Sequence, residues 1–141
     1  MTLHFTATAQ FKISGDASQT SAQCFELTPD QQFKQGSVLS RQKLDVQKDF
    51  TIAVTMNFGR QNFTTSGADG IAFIMMTDTF IPVTGNGGGI GYEGTPESLV
   101  VEFDTYQNDP NNDPAADHVA LIIGGNPVHG PSTLAGPNSI G

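Results

Sequence analysis

The chain has 141 residues and a formal net charge of −8, and its charges are distributed unevenly. All six Lys and Arg residues lie within residues 1–60, whereas residues 61–141 carry nine acidic residues and no Lys or Arg. An anionic half of this kind repels phosphate backbones and anionic headgroups, which argues against binding to nucleic acid and to anionic membrane surfaces. No apolar run approaches the roughly 20 residues of a membrane span, so membrane insertion is not expected. Carboxylates without neighbouring cations indicate divalent metal ions instead.

The length fits a single domain, residues 1–141, and the 37% of hydrophobic residues can form a core. Apolar residues alternate from Leu3 to Ile13 and from Phe50 to Phe58, which predicts two strands. The stretch from Thr28 to Gln35 predicts a short turn at most. The single Cys24 excludes an internal disulfide, and we interpret it as a small buried hydrophobic residue.

Three later runs are continuously apolar and bounded by Gly, Pro, Asn or Asp: Gly70 to Met76, Leu99 to Phe103, and Val119 to Ile123. Runs of this length and setting predict strands within a sandwich. Because convincing helical stretches are missing, the sequence predicts an all-β sandwich or jelly roll. Function in such folds concentrates in long loops, here Pro82 to Thr95 and Thr105 to Asp117.

The second of these loops follows two acidic residues that lie two positions apart on a predicted strand, Glu102 and Asp104. Their side chains leave the same face, and repulsion between them requires a cation or a proton. Tyr106 and Asn108 continue the same spacing into the loop, and the further candidate donors are Asn108, Asp113, His118 and the backbone carbonyls of the loop. Oxygen ligands suit Ca²⁺, and carboxylates with an imidazole suit Mn²⁺ or another transition-metal ion. On charge alone, a solvated acidic turn explains the loop equally well.

The stretch Val101 to Asn108, followed by Asp113-Pro114 and Asp117-His118-Val119, resembles the metal-binding signature of the legume-type (L-type) lectins in order and spacing. The resemblance implies a concanavalin-like jelly-roll β-sandwich that binds Mn²⁺ and Ca²⁺. The implied Mn²⁺ ligands are Glu102, Asp104, Asp113 and His118. The implied Ca²⁺ ligands are Asp104, the Tyr106 carbonyl, Asn108 and Asp113.

The stretch Ala68 to Phe73 resembles a second lectin signature, in which the Asp accepts hydrogen bonds from sugar hydroxyls after a cis Ala–Asp bond. The resemblance implies coupled ion and sugar binding. The implied carbohydrate-binding residues are Asp69, a backbone N–H of Gly88 or Gly89, the amide of Asn108, and the ring of Tyr106. Without the resemblance, Asp69 would be interpreted as a turn residue and the glycines as a hairpin tip.

The resemblance covers nearly the whole chain. The sequence looks more like bacterial members of the family than plant ones, and this similarity implies an extracellular or cell-surface location. No signal peptide follows Met1. L-type lectin domains normally continue for several strands beyond the equivalent of Gly141, so the chain is expected to represent the N-terminal and central part. A second chain segment or a homo-oligomer is expected to cover exposed sheet edges.

The leading hypothesis is therefore a non-catalytic, Ca²⁺/Mn²⁺-dependent lectin that binds a glycan or small saccharide, in recognition or adhesion. One alternative is a glycoside hydrolase of a glucanase-like sandwich, which needs two facing carboxylates; the nearby glutamates are Glu93, Glu97 and Glu102. Another is a metal-stabilised structural adhesin module without sugar binding. No nucleophile–base signature is found, and we interpret His4 and His129 as surface residues.

Overall fold

The structure is a computed structural model, and it describes residues 11–59, 67–77 and 84–140. These residues form eight β-strands and two short 3₁₀-helices, with no α-helix among them, so the all-β prediction is confirmed. No helix in the described ranges has the length and apolar character needed to cross a membrane. The chain divides into two compact units, Met1–Asn57 and Phe58–Gly141.

The first unit contains two small antiparallel sheets. In one, β1 (Phe11–Gly15) pairs with β4 (Gly36–Ser40); in the other, β2 (Ser18–Ser21) pairs with β3 (Cys24–Glu26). The prediction that Cys24 is buried is wrong, because this residue begins β3, the second strand of a short hairpin, and is exposed. Most of the predicted strand from Leu3 to Ile13 lies outside the described residues, and β1 begins within its last part.

The alternating run from Phe50 to Phe58 does not form the strand that its pattern predicts. Only Thr51 makes an isolated bridge, and Phe50, Val54 and Phe58 are 38%, 57% and 41% exposed. Alternation determines which way side chains point in an extended chain, but a strand also needs a continuous ladder of hydrogen bonds to a neighbour. The strand prediction for residues 50–58 is therefore wrong.

The second unit contains a four-stranded antiparallel sheet in the order β5–β6–β7–β8. Its strands are β5 (Gly70–Met76), β6 (Ser98–Asp104), β7 (His118–Ile123) and β8 (Thr133–Ser139). The three continuous apolar runs predicted as strands make up all of β5 and most of β6 and β7. No pattern predicted β8, which has register shifts against β7 and contains a cis Gly136–Pro137 bond.

One face of β6 and β7 is buried and changes character along its length. Burial alternates along both strands, as a pleated strand requires. At one end, Val100 pairs with Ile122 within an apolar core of Tyr92, Val100, Ala120 and Ile122. At the other end, Asp104 pairs with His118. The sheet therefore holds titratable side chains at the edge of its own core.

Candidate functional site

Three titratable side chains occupy the polar end of the buried β6–β7 face. Glu102, Asp104 and His118 are each 1% exposed. The strand register places Asp104 directly opposite His118, and Glu102 precedes Asp104 by two residues on the same face, as the spacing predicts. Such groups are costly to bury in charged form without partners.

The loop after β6 returns a third carboxylate to this end of the sheet. A 3₁₀-helix, η2 (Asp109–Asn111), reverses the chain, and Asn112 ends it in the left-handed conformation with φ 60°. Asp113 is then 7% exposed, and its Oδ2 accepts a hydrogen bond from the Asn108 N–H at 2.8 Å. On the β6 side, Asp104 Oδ1 accepts a hydrogen bond from the Tyr106 N–H at 2.7 Å. Both carboxylates are therefore fixed by the loop backbone.

His129 also belongs to this cluster, so its interpretation as a surface residue is wrong. It is 9% exposed. Its N–H donates to the Asn111 carbonyl at 2.8 Å, and its carbonyl accepts from Asn112 Nδ2 at 3.2 Å. These bonds attach the segment after β7 to the loop between β6 and β7, residues 105–117, which we call the acidic loop. No local sequence pattern indicates this contact. His4 lies outside the described residues.

The ring of His129 faces the other site residues through Nε2. This nitrogen lies 3.0 Å from His118 Nε2, 3.5 Å from Glu102 Oε1 and 3.4 Å from Asp113 Oδ1. His118 Nε2 lies 3.6 Å from the same Glu102 oxygen. Two imidazole nitrogens and two carboxylate oxygens therefore converge from four residues.

The two oxygens of Glu102 have different surroundings. Oε2 accepts a hydrogen bond from the hydroxyl of Tyr92, a fully buried residue that sequence reasoning did not identify as part of the site. Oε1 is buried and makes no hydrogen bond. A buried polar atom without a partner costs about 1–3 kcal/mol. Glu102 is therefore held in place at one oxygen and unsatisfied at the other.

Burial dominates the electrostatics of the cluster. Desolvation, with a smaller contribution from the charge of Asp113, raises the pKa of Glu102 to about 7 and that of Asp104 to about 8. Hydrogen bonds from Tyr92 and from the Tyr106 N–H act in the opposite direction. A nearby cation would favour the charged carboxylates.

The imidazole that joins this cluster responds to burial in the opposite sense. Desolvation lowers the pKa of His129, and the neighbouring His118 lowers it further. A lowered pKa favours the neutral ring at neutral pH, and the neutral ring is the form that binds metal ions. The protonation preference of His129 therefore suits a metal ligand.

The donor set fits metal ions of two kinds. Two groups of donors have ligand atoms within 4.8 Å of one another: Glu102 with His118 and His129, and Asp104 with Asp113 and His118. Carboxylates with imidazoles suit a transition-metal ion, and carboxylates with an amide oxygen suit Ca²⁺. The Asn108 Oδ1 atom supplies such an oxygen, since it is buried without a hydrogen-bond partner.

Asp69 lies beside this cluster, directly before β5. The Ala68–Asp69 peptide bond is cis, as the lectin resemblance implies. The Asp69 carbonyl accepts hydrogen bonds from the Thr105 N–H at 2.8 Å and from Thr105 Oγ1 at 3.1 Å. Burial raises the pKa of the half-buried Asp69 carboxyl, whereas a hydrogen bond from the Asn108 side chain lowers it.

The glycine run that contains the predicted backbone donor packs against the loop between β6 and β7. It forms a 3₁₀-helix, η1 (Gly87–Gly89). A Cβ atom on Gly88 would lie 2.6 Å from Asn108 Cγ and 2.8 Å from Asn111 Nδ2. The Gly88 carbonyl accepts a hydrogen bond from Asn111 Nδ2 at 2.8 Å. Only glycine fits against the two Asn side chains at this position without displacing them.

The neighbouring glycines differ in what they contact. Gly89 is buried, and its N–H donates to the Asn86 carbonyl at 3.3 Å. Gly87 is next to the Asp69 carboxylate, since a Cβ built on Gly87 would lie 3.9 Å from Asp69 Oδ2. The sequence left Gly88 and Gly89 as equal candidates for a backbone donor, and the Gly89 N–H already has the Asn86 carbonyl as a partner.

The sequence matches the legume lectin beta-barrel domain family over residues 4–136. The chain belongs to the legume (L-type) lectin family. This match confirms the predicted jelly-roll β-sandwich class. Family membership supports carbohydrate binding and a non-catalytic role. Legume-type lectins generally bind metal ions, in keeping with the acidic and histidine donors of this chain.

The lectin chain is also similar to two characterised proteins over part of its length. It is 33% identical over 78 residues to the pesticidal crystal protein Cry22Aa of Bacillus thuringiensis. The matched segment covers 55% of this chain and 10% of that protein. It is 48% identical over 61 residues to the galactose-binding lectin of Arachis hypogaea, covering 40% of this chain and 22% of the relative. The matched segments are therefore a minor part of both relatives.

Tyr106 is an exposed aromatic residue of the loop that follows β6. Its side chain is 44% exposed, while its backbone N–H is held by Asp104. A cleft of about 230 Å³ lies beside it, lined by Thr105, Tyr106, Gln107, Ala115, Ala116 and Asp117. The ring is thus accessible to a ligand.

The glutamates proposed for a hydrolase have different environments in this lectin. Glu93 and Glu97 are exposed, and Glu97 Oε2 accepts a hydrogen bond from Thr77 Oγ1 at 2.9 Å. Glu102 is buried with the histidines. Of these three glutamates, Glu102 alone lies in the buried donor cluster.

Proposed function

We propose that this chain is a non-catalytic lectin domain whose carbohydrate binding depends on Ca²⁺ and a transition-metal ion such as Mn²⁺. The position of Asn108 carries the proposal. Its side chain hydrogen-bonds to Asp69, the predicted sugar acceptor, and its buried Oδ1 has no hydrogen-bond partner. The same side chain packs against Gly88. One residue therefore links the predicted sugar contacts to the donor cluster.

The metal ligands would be those that the lectin signature implies. Glu102, Asp104, Asp113 and His118 would hold the transition-metal ion. Asp104, the Tyr106 carbonyl, Asn108 and Asp113 would hold Ca²⁺. Each set contains one of the buried unpartnered oxygens, Glu102 Oε1 and Asn108 Oδ1. When bound, the ions supply the positive charge that buried carboxylates lack.

Sugar recognition would combine four kinds of contact. The Asp69 carboxylate would accept hydrogen bonds from sugar hydroxyls, and the Gly88 N–H and the Asn108 amide would donate to sugar oxygens. The exposed ring of Tyr106 would pack against the apolar face of the pyranose. Gly89 does not take part in this arrangement, because its N–H already donates to Asn86. Few directed contacts in a shallow site give selective but weak binding.

Galactosides are the first ligands to test. The support is the segment that is 48% identical to a galactose-binding lectin over 61 residues. The wider class of ligand is a glycan or small saccharide, which a glycan array covers without prior assumption.

The test is glycan-array and calorimetric binding with Ca²⁺ and Mn²⁺, after EDTA, and after the ions are restored. We expect binding that EDTA abolishes and the ions recover. Asp69→Ala should lose sugar binding and keep its metal content. Asp109→Asn is the matched control, since Asp109 is an exposed acid of the same loop that lies outside both ligand sets. Glycan binding that EDTA leaves unchanged would contradict the proposal.

The same experiment separates the alternatives. A protein whose melting temperature rises with metal ions, but which binds no glycan, would be a metal-stabilised structural adhesin module. Release of reducing sugar from a polysaccharide panel would instead indicate a glycoside hydrolase.

We also propose that the chain acts outside the cell or at its surface, in glycan recognition or adhesion. The support is its similarity in style to bacterial lectin members of surface and secreted proteins. Immunodetection in culture medium and on intact cells of the native organism tests this. Detection only in lysed cells would contradict it.

A further inference from the structure

We infer that His129 is a direct ligand of the transition-metal ion, so that the site offers two imidazole nitrogens and prefers ions such as Zn²⁺, Ni²⁺ and Co²⁺ to Mn²⁺. The inference rests on the proposed metal site. It adds a donor that the resemblance to L-type lectins does not assign, from a segment eleven positions beyond His118.

The separations between donor atoms carry the inference. His129 Nε2 lies 3.0 Å from His118 Nε2, 3.4 Å from Asp113 Oδ1 and 3.5 Å from Glu102 Oε1. Neighbouring ligands on an ion with bonds of about 2.1 Å lie about 3.0 Å apart in an octahedron and about 3.4 Å apart in a tetrahedron. These three separations match the spacing of ligands around one ion.

The convergence is not explained by hydrogen bonds among the four residues. The two Nε2 atoms can share at most one proton between them. Glu102 is 1% exposed, its Oε2 is occupied by the Tyr92 hydroxyl, and its Oε1 has no hydrogen-bond partner although two imidazoles face it. A buried oxygen in this state requires a partner. A cation among the donors would satisfy it.

The two rings are oriented so that Nε2 of each faces the others. His118 Nδ1 faces the Ala116 carbonyl at 3.4 Å, as the second nitrogen of a metal-bound histidine commonly faces a carbonyl. The backbone of His129 is fixed at both its N–H and its carbonyl by Asn111 and Asn112. The rings meet edge to face, with centroids 5.1 Å apart. His129 is therefore held toward the cluster by the acidic loop itself.

A second imidazole changes which ion the site prefers. Nitrogen donors suit Zn²⁺, Cu²⁺, Ni²⁺ and Fe²⁺, whereas Mn²⁺ suits sites made of oxygen ligands. Two imidazoles with carboxylates therefore favour the later ions of the first transition series. Removal of one imidazole should move the preference back toward Mn²⁺.

The test uses the full chain loaded with Zn²⁺ or Ni²⁺, with X-ray absorption spectroscopy to count imidazole ligands. We expect two imidazoles in the parent protein and one in His129→Ala. The ratio of the dissociation constants for Mn²⁺ and Zn²⁺ should fall by roughly tenfold or more in the variant. Asp109→Asn should change neither value. If His129→Ala does not fold, His129→Gln replaces it, because glutamine fills a similar volume. The number of imidazole ligands in the parent protein also tests the inference without any variant.

A single imidazole in the parent protein, or an unchanged Mn²⁺ to Zn²⁺ ratio in both His129 variants, would overturn the inference. Neither readout involves sugar, so the outcome is separate from the lectin proposal. Two imidazoles without glycan binding would support the inference and contradict the proposed function. Metal-dependent glycan binding by a protein with one imidazole ligand would support the proposed function and contradict the inference.

Discussion

The side chain of Asn108 hydrogen-bonds to Asp69, and its remaining oxygen is buried without a hydrogen-bond partner. The Asn108 N–H in turn donates to Asp113 at 2.8 Å. Asp69 and Asp113 are separated by 44 positions in the sequence, yet Asn108 contacts both. A displacement of the acidic loop would therefore be transmitted by Asn108 to Asp69, the predicted sugar acceptor.

Asn108→Ala should weaken sugar binding and Ca²⁺ binding together. The variant removes the donor to Asp69 and the amide oxygen proposed for Ca²⁺. Loss of a hydrogen bond to a charged group corresponds to a fall in affinity on the order of 10–100-fold. Calorimetry with a binding glycan and with Ca²⁺ measures both effects. An unchanged Ca²⁺ affinity would contradict the role of Asn108 as a ligand, and Asp69→Ala, which should affect sugar alone, is the comparison.

Gly88→Ala should disturb the site through a steric clash. The added Cβ would lie 2.6 Å from Asn108 Cγ, while the backbone of Gly88 is outside the left-handed region and tolerates alanine. We expect about 1–3 kcal/mol of destabilisation or an equivalent loss of sugar affinity. Gly130→Ala is the control, since nothing lies within 4 Å of a Cβ at Gly130. Equal behaviour of the two variants in thermal melts and glycan binding would refute this packing argument.

The metal-free protein should lose stability as the pH rises from 6.5 to 8. Burial raises the pKa of Glu102 to about 7 and of Asp104 to about 8, so the folded state keeps protons that the unfolded chain releases. The free energy of unfolding therefore falls with pH in this range. His129, whose pKa is lowered from 6.5, acts in the opposite sense, and its contribution fades as the pH rises through that value.

Urea unfolding in the presence of a chelator at several pH values measures this slope. Metal binding requires deprotonated carboxylates, so metal affinity should rise over the same range in which metal-free stability falls. A metal-free protein whose stability rises from pH 6.5 to 8 would contradict the burial of charge described for the cluster.

Glu102→Gln should stabilise the metal-free protein at pH 8 and weaken transition-metal binding. The neutral side chain has a similar shape, avoids the buried charge, and retains an oxygen that can accept from the Tyr92 hydroxyl. Thermal melts with chelator and metal titrations measure the two effects. A variant that is destabilised without metal, or that binds Zn²⁺ as the parent does, would disprove the prediction. Asp109→Asn removes an exposed charge instead and should affect neither quantity.

Local sequence patterns predicted part of the fold. The apolar runs in β5, β6 and β7 are bounded by turn residues, and all three form strands. The run from Phe50 to Phe58 has an equally regular alternation but does not form a strand, because pairing depends on a neighbour that alternation does not specify. Strand β8 contains Gly136–Pro137 and lacks an apolar pattern, so it depends on pairing with β7.

The same distinction between local sequence patterns and tertiary contacts applies to the site. The spacing of Glu102 and Asp104 and the lectin signatures placed the candidate ligands of β6 and its loop. His129 and Tyr92 were missed as site residues, since both lie in Gly-rich segments whose path is determined by tertiary contacts. The hydrogen bonds of His129 to Asn111 and Asn112 became visible only in three dimensions.

The alternation of buried and outward residues along β6 limits how this protein can change in length. Side chains of a strand repeat every two residues, so one residue inserted between Val100 and Val101 would turn the carboxylates of Glu102 and Asp104 outward and bring Val101 and Phe103 inward. A single-codon insertion there would remove the donor cluster and part of the core together. Insertions and deletions among natural relatives should therefore avoid β6.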